Sequence, residues 1–322
     1  MKKILLTNRY DEEPFKIIQS VIPEGFQLEM LDKVCQEEVA EKAVDADYLL
    51  VSGRLKIDRQ ILENARKLKM IQRTGVGLDS LDLEEMKKRN IPLYVNKGVN
   101  ADSVAEHSVL LMLACLRRLV MIHQNTKNGV WKKQSQGVQT RELKGKKVCL
   151  IGMGNIGQAV AEMLKGFGTE TLYYSRKRLP QQKEDELKIS YVELEELLHE
   201  ADIISLHCPL TEETRGMLNQ ESIEKMKDGV MIINTARGAL IEEEALVQAL
   251  KSGKVQFAGL DVFAEEPLKN TELSNLDNVI MTPHIGGITY DSFHCMMQEA
   301  MRNIELYEKG KLDEIEQAKW DC

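Results

Sequence analysis

The 322-residue chain has no Cys-x-x-Cys pair, no apolar run of membrane-spanning length, no basic excess and no visible repeat or low-complexity block. Each absence excludes a class of protein. The six cysteines, Cys35, Cys115, Cys149, Cys208, Cys295 and Cys322, match neither finger-like spacings with histidine nor a disulfide framework. They read as small buried hydrophobes in a reducing compartment, and no metal is expected. The longest apolar stretch, Ser108 to Ile122, is broken by Arg117-Arg118 and cannot span a bilayer. Lys2-Lys3 precede only the short run Ile4 to Thr7, which falls short of a signal h-region. The expectation is a cytoplasmic protein with no membrane partner. A net charge of -8, with no basic cluster interleaved with aromatics, argues against a nucleic-acid partner. An anionic substrate would have to be held by a few local cations.

Hydrophobic residues at 43% and charged residues at 29% describe an ordinary folded protein, and the length suits two domains, each with its own core. Short β-type runs at Ile4 to Leu6, Leu28 to Leu31, Tyr48 to Val51 and Met70-Ile71 alternate with helical patterns at Phe15 to Ile22, Glu37 to Val44, Arg59 to Lys67 and Leu83 to Arg89. Such alternation predicts a parallel sheet covered by helices. A long helix, Ser103 to Lys127, is expected next, stopped by Asn128-Gly129. Beyond Gly145 six more strand-like runs follow, at Lys147 to Ile151, Thr171 to Tyr174, Asp202 to Leu206, Gly229 to Ile233, Phe257 to Leu260 and Val279 to Met281, and then a last helix, Tyr290 to Lys309. Met296, Met297 and Met301 on that helix read as core or interface.

Directly after Val148 to Ile151 stands Gly152-Met153-Gly154-Asn155-Ile156-Gly157, opening into a helical pattern. A strand, a glycine loop at this spacing and a helix predict a dinucleotide site. The first glycine permits the turn, the second lets backbone approach a pyrophosphate, and the third lets helix and strand pack closely. The helix N-terminus then faces the anion. Since 151 residues precede the loop, another domain begins the chain.

Ligands of open parallel sheets bind beyond the carboxyl ends of strands. Polar groups stand there at His207-Cys208-Pro209, Asn234-Thr235-Ala236-Arg237-Gly238, Asp261 to Pro267 and Thr282-Pro283-His284. Taken singly, Glu265-Glu266 reads equally as a solvated acidic turn, and Arg237 as a surface residue after a strand. His107, His123, His199 and His294 read as ordinary satisfied or exposed histidines.

At these residues the chain resembles the D-2-hydroxyacid dehydrogenases, the NAD(P)-dependent family that includes phosphoglycerate dehydrogenase, hydroxypyruvate and glyoxylate reductases and D-lactate dehydrogenase. The resemblance runs through Arg73 to Asp79, Ser103 to His107, the glycine loop, His207 to Thr211, Thr235 to Gly238, Gly259 to Phe263 with Glu266-Pro267, and Pro283 to Gly287. It implies two Rossmann-like domains with doubly wound parallel sheets. A dinucleotide-binding domain, 100–285, would be inserted into a flavodoxin-like substrate domain formed by 1–99 and 286–322.

The resemblance further implies a catalytic trio of Arg237, Glu266 and His284. His284 would act as acid and base, since imidazole exchanges protons near working pH. Glu266 beside it would favour the protonated ring, and Arg237 offers a permanent forked cation to a substrate carboxylate. The dinucleotide would be held by Gly152, Gly154, Asn155, Ile156, Gly157, Ser175, Arg176, His207, Cys208, Pro209, Thr214, Thr235, Ala236, Arg237, Asp261, His284, Gly286, Gly287 and Val104, with His207 shaping the cleft. The substrate carboxylate would sit on the turn Gly75-Val76-Gly77, assisted by Arg237 and His284.

About 20 residues past the glycine loop, where NAD sites usually carry an acid, the chain reads Ser175-Arg176-Lys177-Arg178. Arg176 suits a 2′-phosphate, so NADP(H) is expected ahead of NAD(H), with a basic loop that still binds NAD as the other reading. The favoured subtype is a hydroxypyruvate or glyoxylate reductase. The alternatives are a D-3-phosphoglycerate or D-lactate type of dehydrogenase and, from another class, a nicotinamide-sensing corepressor-like protein. Val51-Ser52-Gly53-Arg54-Leu55-Lys56 departs from the Arg-Ser-x-Thr pattern common in phosphoglycerate dehydrogenases. Arg54 and Lys56 read either as groups facing an anionic tail or as a solvated loop. Serine feedback through a C-terminal effector module of the phosphoglycerate dehydrogenase kind is not expected. A homodimer is expected, with the apolar run Val109 to Leu116 as part of its interface.

Overall fold

The computed structural model describes residues 1–320 apart from Arg54 and Asn270, and the chain forms two compact units, one of residues 1–100 with the segment from Tyr290 onward, the other of residues 101–289.

In the first unit five parallel strands, β1 (Lys2–Leu6), β2 (Phe26–Met30), β3 (Tyr48–Val51), β4 (Met70–Arg73) and β5 (Leu93–Val95), lie in the order β2-β1-β3-β4-β5. This is the flavodoxin order. The unbroken apolar run of β3 is what a strand covered on both faces requires, and the period of two divides it. Leu49 and Val51 pack with Val39, Ile61 and Leu62 from the helices Gln36–Lys42 and Arg59–Asn64, while Tyr48 and Leu50 pack with Ile18 and the final helix.

That final helix, Tyr290–Glu308, lays Met296, Met297, Ala300, Met301 and Ile304 onto the sheet, so its methionines are core. Its end is tied down by Glu308, which accepts from Lys69 Nζ at 2.8 Å, Lys2 Nζ at 3.0 Å and the Tyr48 hydroxyl. Burial opposes the charge on Glu308, but Lys69, Tyr48 and Lys2 outweigh it and hold the carboxyl down at about 2.

In the second unit seven strands, β6 (Lys147–Ile151), β7 (Glu170–Tyr174), β8 (Ile189–Tyr191), β9 (Ile203–Leu206), β10 (Val230–Asn234), β11 (Val255–Leu260) and β12 (Val279–Met281), are parallel in the order β12-β11-β10-β9-β6-β7-β8. The chain builds outward from β6 through β7 and β8, then crosses to β9 and builds the other way. The reversal between β6 and β9 is the switch point at which such sheets hold nucleotides.

Three sequence expectations are corrected. The strands β5 and β8, three residues each, were not anticipated. The single helix Ser103 to Lys127 is two helices, Ala101–Leu116 and Leu119–Lys127, separated at Arg118, whose φ of +49° breaks the ladder. The first half is core-packed whereas the second buries no residue, and a helical period running across both hides the break. Within Val109 to Leu116, residues Val109, Leu111, Met112, Cys115 and Leu116 belong to the unit's own core. Only Leu110, 52% exposed, offers that run a large apolar side chain to a partner.

Candidate active site

The loops after β6 and β9 meet at the switch point. Gly152 has φ +102°, and a Cβ there would lie 2.5 Å from Cys208 N and 2.6 Å from the carbonyl carbon of His207, so the meeting of the loops requires glycine. Gly157 is equally constrained, its Cβ position lying 2.2 Å from Gly152 O. Gly154 differs: it is exposed, and a Cβ would find nothing within 4 Å. It is the N-cap of the helix Asn155–Leu164 and no side chain caps that end, so the first-turn N–H groups around Asn155 and Ile156 suit an anion. A pyrophosphate fits this loop.

His207 donates its backbone N–H to Ile151 O at 2.8 Å, and its Nε2 lies 2.9 Å from Ser205 Oγ. Burial pushes the imidazole down to about 4, which makes it a neutral wall rather than a proton carrier at neutral pH. Its Nδ1 is buried and has no partner within the protein. Cys208, whose thiol burial pushes up to about 11, rests 3.8 Å from Met217 Sδ. After the exposed Pro209 the loop is pinned by Thr214, which donates to Pro209 O at 2.8 Å and accepts from Thr211 N at 2.8 Å.

Past β7, Ser175 is half-buried and Arg176 is 72% exposed. Arg178 does not join Arg176, because its guanidinium forks onto Glu184, Nε to Oε1 and Nη2 to Oε2, both at 2.8 Å. The Tyr173 hydroxyl adds a bond at 2.7 Å. Arg178 and Tyr173 outweigh burial and hold the Glu184 carboxyl down at about 2. Of the cations expected at this end, Arg176 and the exposed Lys177 remain.

Beyond β10 the side chain of Asn234 shapes the turn, donating to Arg237 O at 2.9 Å and accepting from Ala236 N at 3.0 Å. Buried Thr235 contacts Ser108 Oγ at 2.8 Å. Arg237 is half-buried, with Nη1 donating to Ala236 O at 2.7 Å. A Cβ on Gly238 would lie 1.9 Å from the carbonyl carbon of Phe263 and 2.3 Å from Ala264 N. The Arg237 turn therefore rests directly on the backbone of the loop that carries Glu266.

Glu266 is bound at both oxygens: Oε1 accepts from Phe263 N at 2.8 Å, and Oε2 accepts from His284 Nδ1–H at 3.1 Å. With side-chain exposures of 10% and 37%, the carboxylate sits behind the imidazole. This contact assigns the proton of Nδ1.

His284 itself has φ +56°, a left-handed conformation that costs a non-glycine residue about 1 kcal/mol. Asp261 holds the segment in place. Its Oδ1 accepts from Thr282 Oγ1 at 2.5 Å and Ile285 N at 2.9 Å, and its Oδ2 from Gly286 N at 2.8 Å. His107 Nε2 reaches Thr282 Oγ1 at 2.9 Å. Asp261 is 1% exposed, so its carboxylate is turned onto the protein's own loop. Gly286 is buried against Asp261 and half-buried Gly287 follows, while Val104 is only 6% exposed. In the sequence Gly238 and Thr282 stand in candidate stretches without a role of their own, and His107 reads as an ordinary histidine. The signal for His107 was its place at the end of Ser103 to His107, a run already singled out.

The turn Gly75-Val76-Gly77 belongs to the first unit, beyond β4. Arg73 braces it, with Nε donating to Gly77 O at 2.9 Å and Nη1 to Gly53 O at 2.8 Å. Val76 is 47% exposed, and a Cβ on Gly75 would meet nothing within 4 Å. Lys56 is exposed, and Arg54 lies outside the described residues.

A parallel sheet in this order, with a pyrophosphate-fitting loop at its switch point and a carboxylate-backed imidazole past a later strand, fits a dinucleotide-dependent oxidoreductase. A family model described as D-isomer specific 2-hydroxyacid dehydrogenase, NAD binding domain, matches residues 109–286. A glyoxylate reductase of Thermococcus litoralis is 39% identical over 96% of this chain and 95% of its own. A hydroxypyruvate reductase of Thermotoga maritima is 44% identical, over 85% of this chain and 87% of its own. The solved structure of a D-lactate dehydrogenase from Aquifex aeolicus, complexed with NAD and lactic acid, superposes with a TM-score of 0.86 at 31% identity, covering 99% of this chain and 98% of that one. The chain belongs to the D-isomer specific 2-hydroxyacid dehydrogenase family.

Proposed function

We propose that the protein reduces a short 2-keto acid, glyoxylate or hydroxypyruvate, to the corresponding hydroxy acid, and that Arg237, Glu266 and His284 carry the reaction. The observation behind this reading is the contact of His284 Nδ1 with the Glu266 carboxylate, which orients the imidazole and fixes its tautomer. A nicotinamide dinucleotide held by the Gly152 to Gly157 loop would supply the hydride for the carbonyl carbon. His284 Nε2 gives the proton to the oxygen, Glu266 stabilises the imidazolium that precedes the transfer, and Arg237 binds the carboxylate and the charge growing on the oxygen. The turn Gly75-Val76-Gly77 of the first unit offers backbone N–H groups suited to a carboxylate. The similarity to a glyoxylate reductase and a hydroxypyruvate reductase supports the substrate choice.

The second unit is the dinucleotide domain and the first the substrate domain. Asp261 acts here as a positioning residue for His284. NADP(H) is the preferred carrier ahead of NAD(H), on the strength of Arg176 and the lack of an acid at the end of β7. We place the enzyme in the cytoplasm: no described helix is long and apolar enough to cross a membrane, and Cys35, Cys115, Cys149, Cys208 and Cys295 are unpaired. A homodimer would cover Leu110, Trp131 and Val138, which are 52%, 82% and 75% exposed.

The test is steady-state turnover of glyoxylate, hydroxypyruvate, pyruvate, phenylpyruvate and 3-phosphohydroxypyruvate with both nicotinamides. Glyoxylate or hydroxypyruvate should give the highest kcat/KM, and His284→Ala should lower kcat by about a thousandfold. Full activity in that variant refutes the mechanism. No turnover of any keto acid, with tight nicotinamide binding, would turn the reading to a sensor.

A further inference from the structure

We infer that Glu213, on the loop after β9, sets the choice between phosphorylated and unphosphorylated dinucleotide by competing for Arg176. The inference rests on the proposed role of Arg176 in holding a 2′-phosphate.

Arg176 Nη1 lies 3.8 Å from Glu213 Oε2, with both side chains largely in solvent at 72% and 76% exposure. An exposed pair of this kind adds little to stability. Its effect falls instead on whatever binds there. Glu213 is not on a loose tip: its neighbour Thr214 is tied to Pro209 O and Thr211 N, and Arg215 N donates to Thr211 O at 3.0 Å. The acid is thus presented to Arg176 by a closed turn. The loop that carries it departs from the same switch point that positions Gly152 against Cys208.

The end of β7 lacks the carboxylate that takes ribose hydroxyls in NAD sites, and Glu213 brings one to the same arginine from the neighbouring loop. Facing a 2′-phosphate, its charge both repels the anion and occupies the cation that would pair with it. Facing an unphosphorylated ribose, the carboxylate is an acceptor for hydroxyls and the arginine is already neutralised. Arg178 is already committed to Glu184 through Nε and Nη2, and that carboxylate offsets its charge toward a phosphate. Lys177 stays available as a point charge, and the forked partner of the phosphate is Arg176, whose balance with Glu213 tilts the ratio of the two carriers.

The test is calorimetric titration of the full chain with 2′,5′-ADP and with 5′-AMP, which reads binding without turnover. Removing one like charge near a phosphate in a solvated site should tighten 2′,5′-ADP about fivefold in Glu213→Gln, with 5′-AMP unchanged or slightly weakened. Salt at about 0.5 M should shrink the difference. Arg176→Ala separates the two ideas. If it weakens 2′,5′-ADP while Glu213→Gln alters neither ligand, or both equally, the inference falls and the NADP(H) reading stands. If Arg176→Ala leaves 2′,5′-ADP binding unchanged, both fall. Both side chains being exposed, the variants should fold, and an unchanged Tm checks this.

Discussion

Each unit places a glycine turn beyond an inner strand, and the two turns are built on opposite principles. In the second unit Gly152 and Gly157 are demanded by the protein itself, since a Cβ would strike backbone at 2.5 Å and 2.2 Å. In the first unit a Cβ on Gly75 would meet nothing within 4 Å, and the turn is held from outside by Arg73 on Gly77 O. A glycine enforced by backbone contact serves the fold. Gly75 and Gly154 are under no such demand, since a Cβ at either would meet nothing within 4 Å, and the reason for glycine there has to be sought in function rather than in packing.

The largest effect should come from Gly152→Ala, which adds a methyl at a positive φ and against the backbone of His207 and Cys208. A loss of about 3 kcal/mol or more is expected, read as a fall in Tm or as insoluble protein. A Tm within about 2 °C of the parent would show that the loops separate cheaply, and the contrast with Gly75 would disappear. Gly75→Ala should instead leave Tm unchanged and raise KM for the keto acid about tenfold, with KM for the nicotinamide unaltered. A fall in Tm without a change in KM would make Gly75 a folding glycine after all.

The same contrast governs what was legible in the sequence. The second unit announced itself, because a strand, three glycines and a helix at fixed spacing are local features. The order of polar groups after later strands also survives in one dimension. What stayed hidden was set by contact between loops distant in the chain. Gly238 looks like any turn glycine until Phe263 is seen against it. His107 looks like an ordinary helical histidine until Thr282 and Asp261 are placed beside it. The trio Arg237, Glu266 and His284 was carried by resemblance rather than by periodicity, since each residue alone has an equally good bland reading. The helix break at Arg118 was invisible for a related reason: the apolar spacing continues across it, and only burial differs between the halves.

The smallest expected effect concerns how each unit anchors its edge. The first ties its final helix with Glu308, held at about 2 by Lys69, Tyr48 and Lys2 against the opposing effect of burial, and the second ties the segment after β7 with Glu184, held at about 2 by Arg178 and Tyr173. In both, the folded carboxyl lies below its ordinary value of 4.5, so the charged form is bound more tightly in the folded state. Each therefore contributes stability that is fully present above about pH 4.5 and is lost as pH falls toward about 2. Glu308→Gln and Glu184→Gln should each lower Tm at pH 7 by about 3 to 5 °C, the gap to the parent closing between about pH 4.5 and pH 2. If the units melt separately, Glu308→Gln should move one calorimetric transition and Glu184→Gln the other. A gap that stays constant down to about pH 2.5 would mean that the lost stability is packing and neutral hydrogen bonding, not charge, and the two anchors would then be alike in place only.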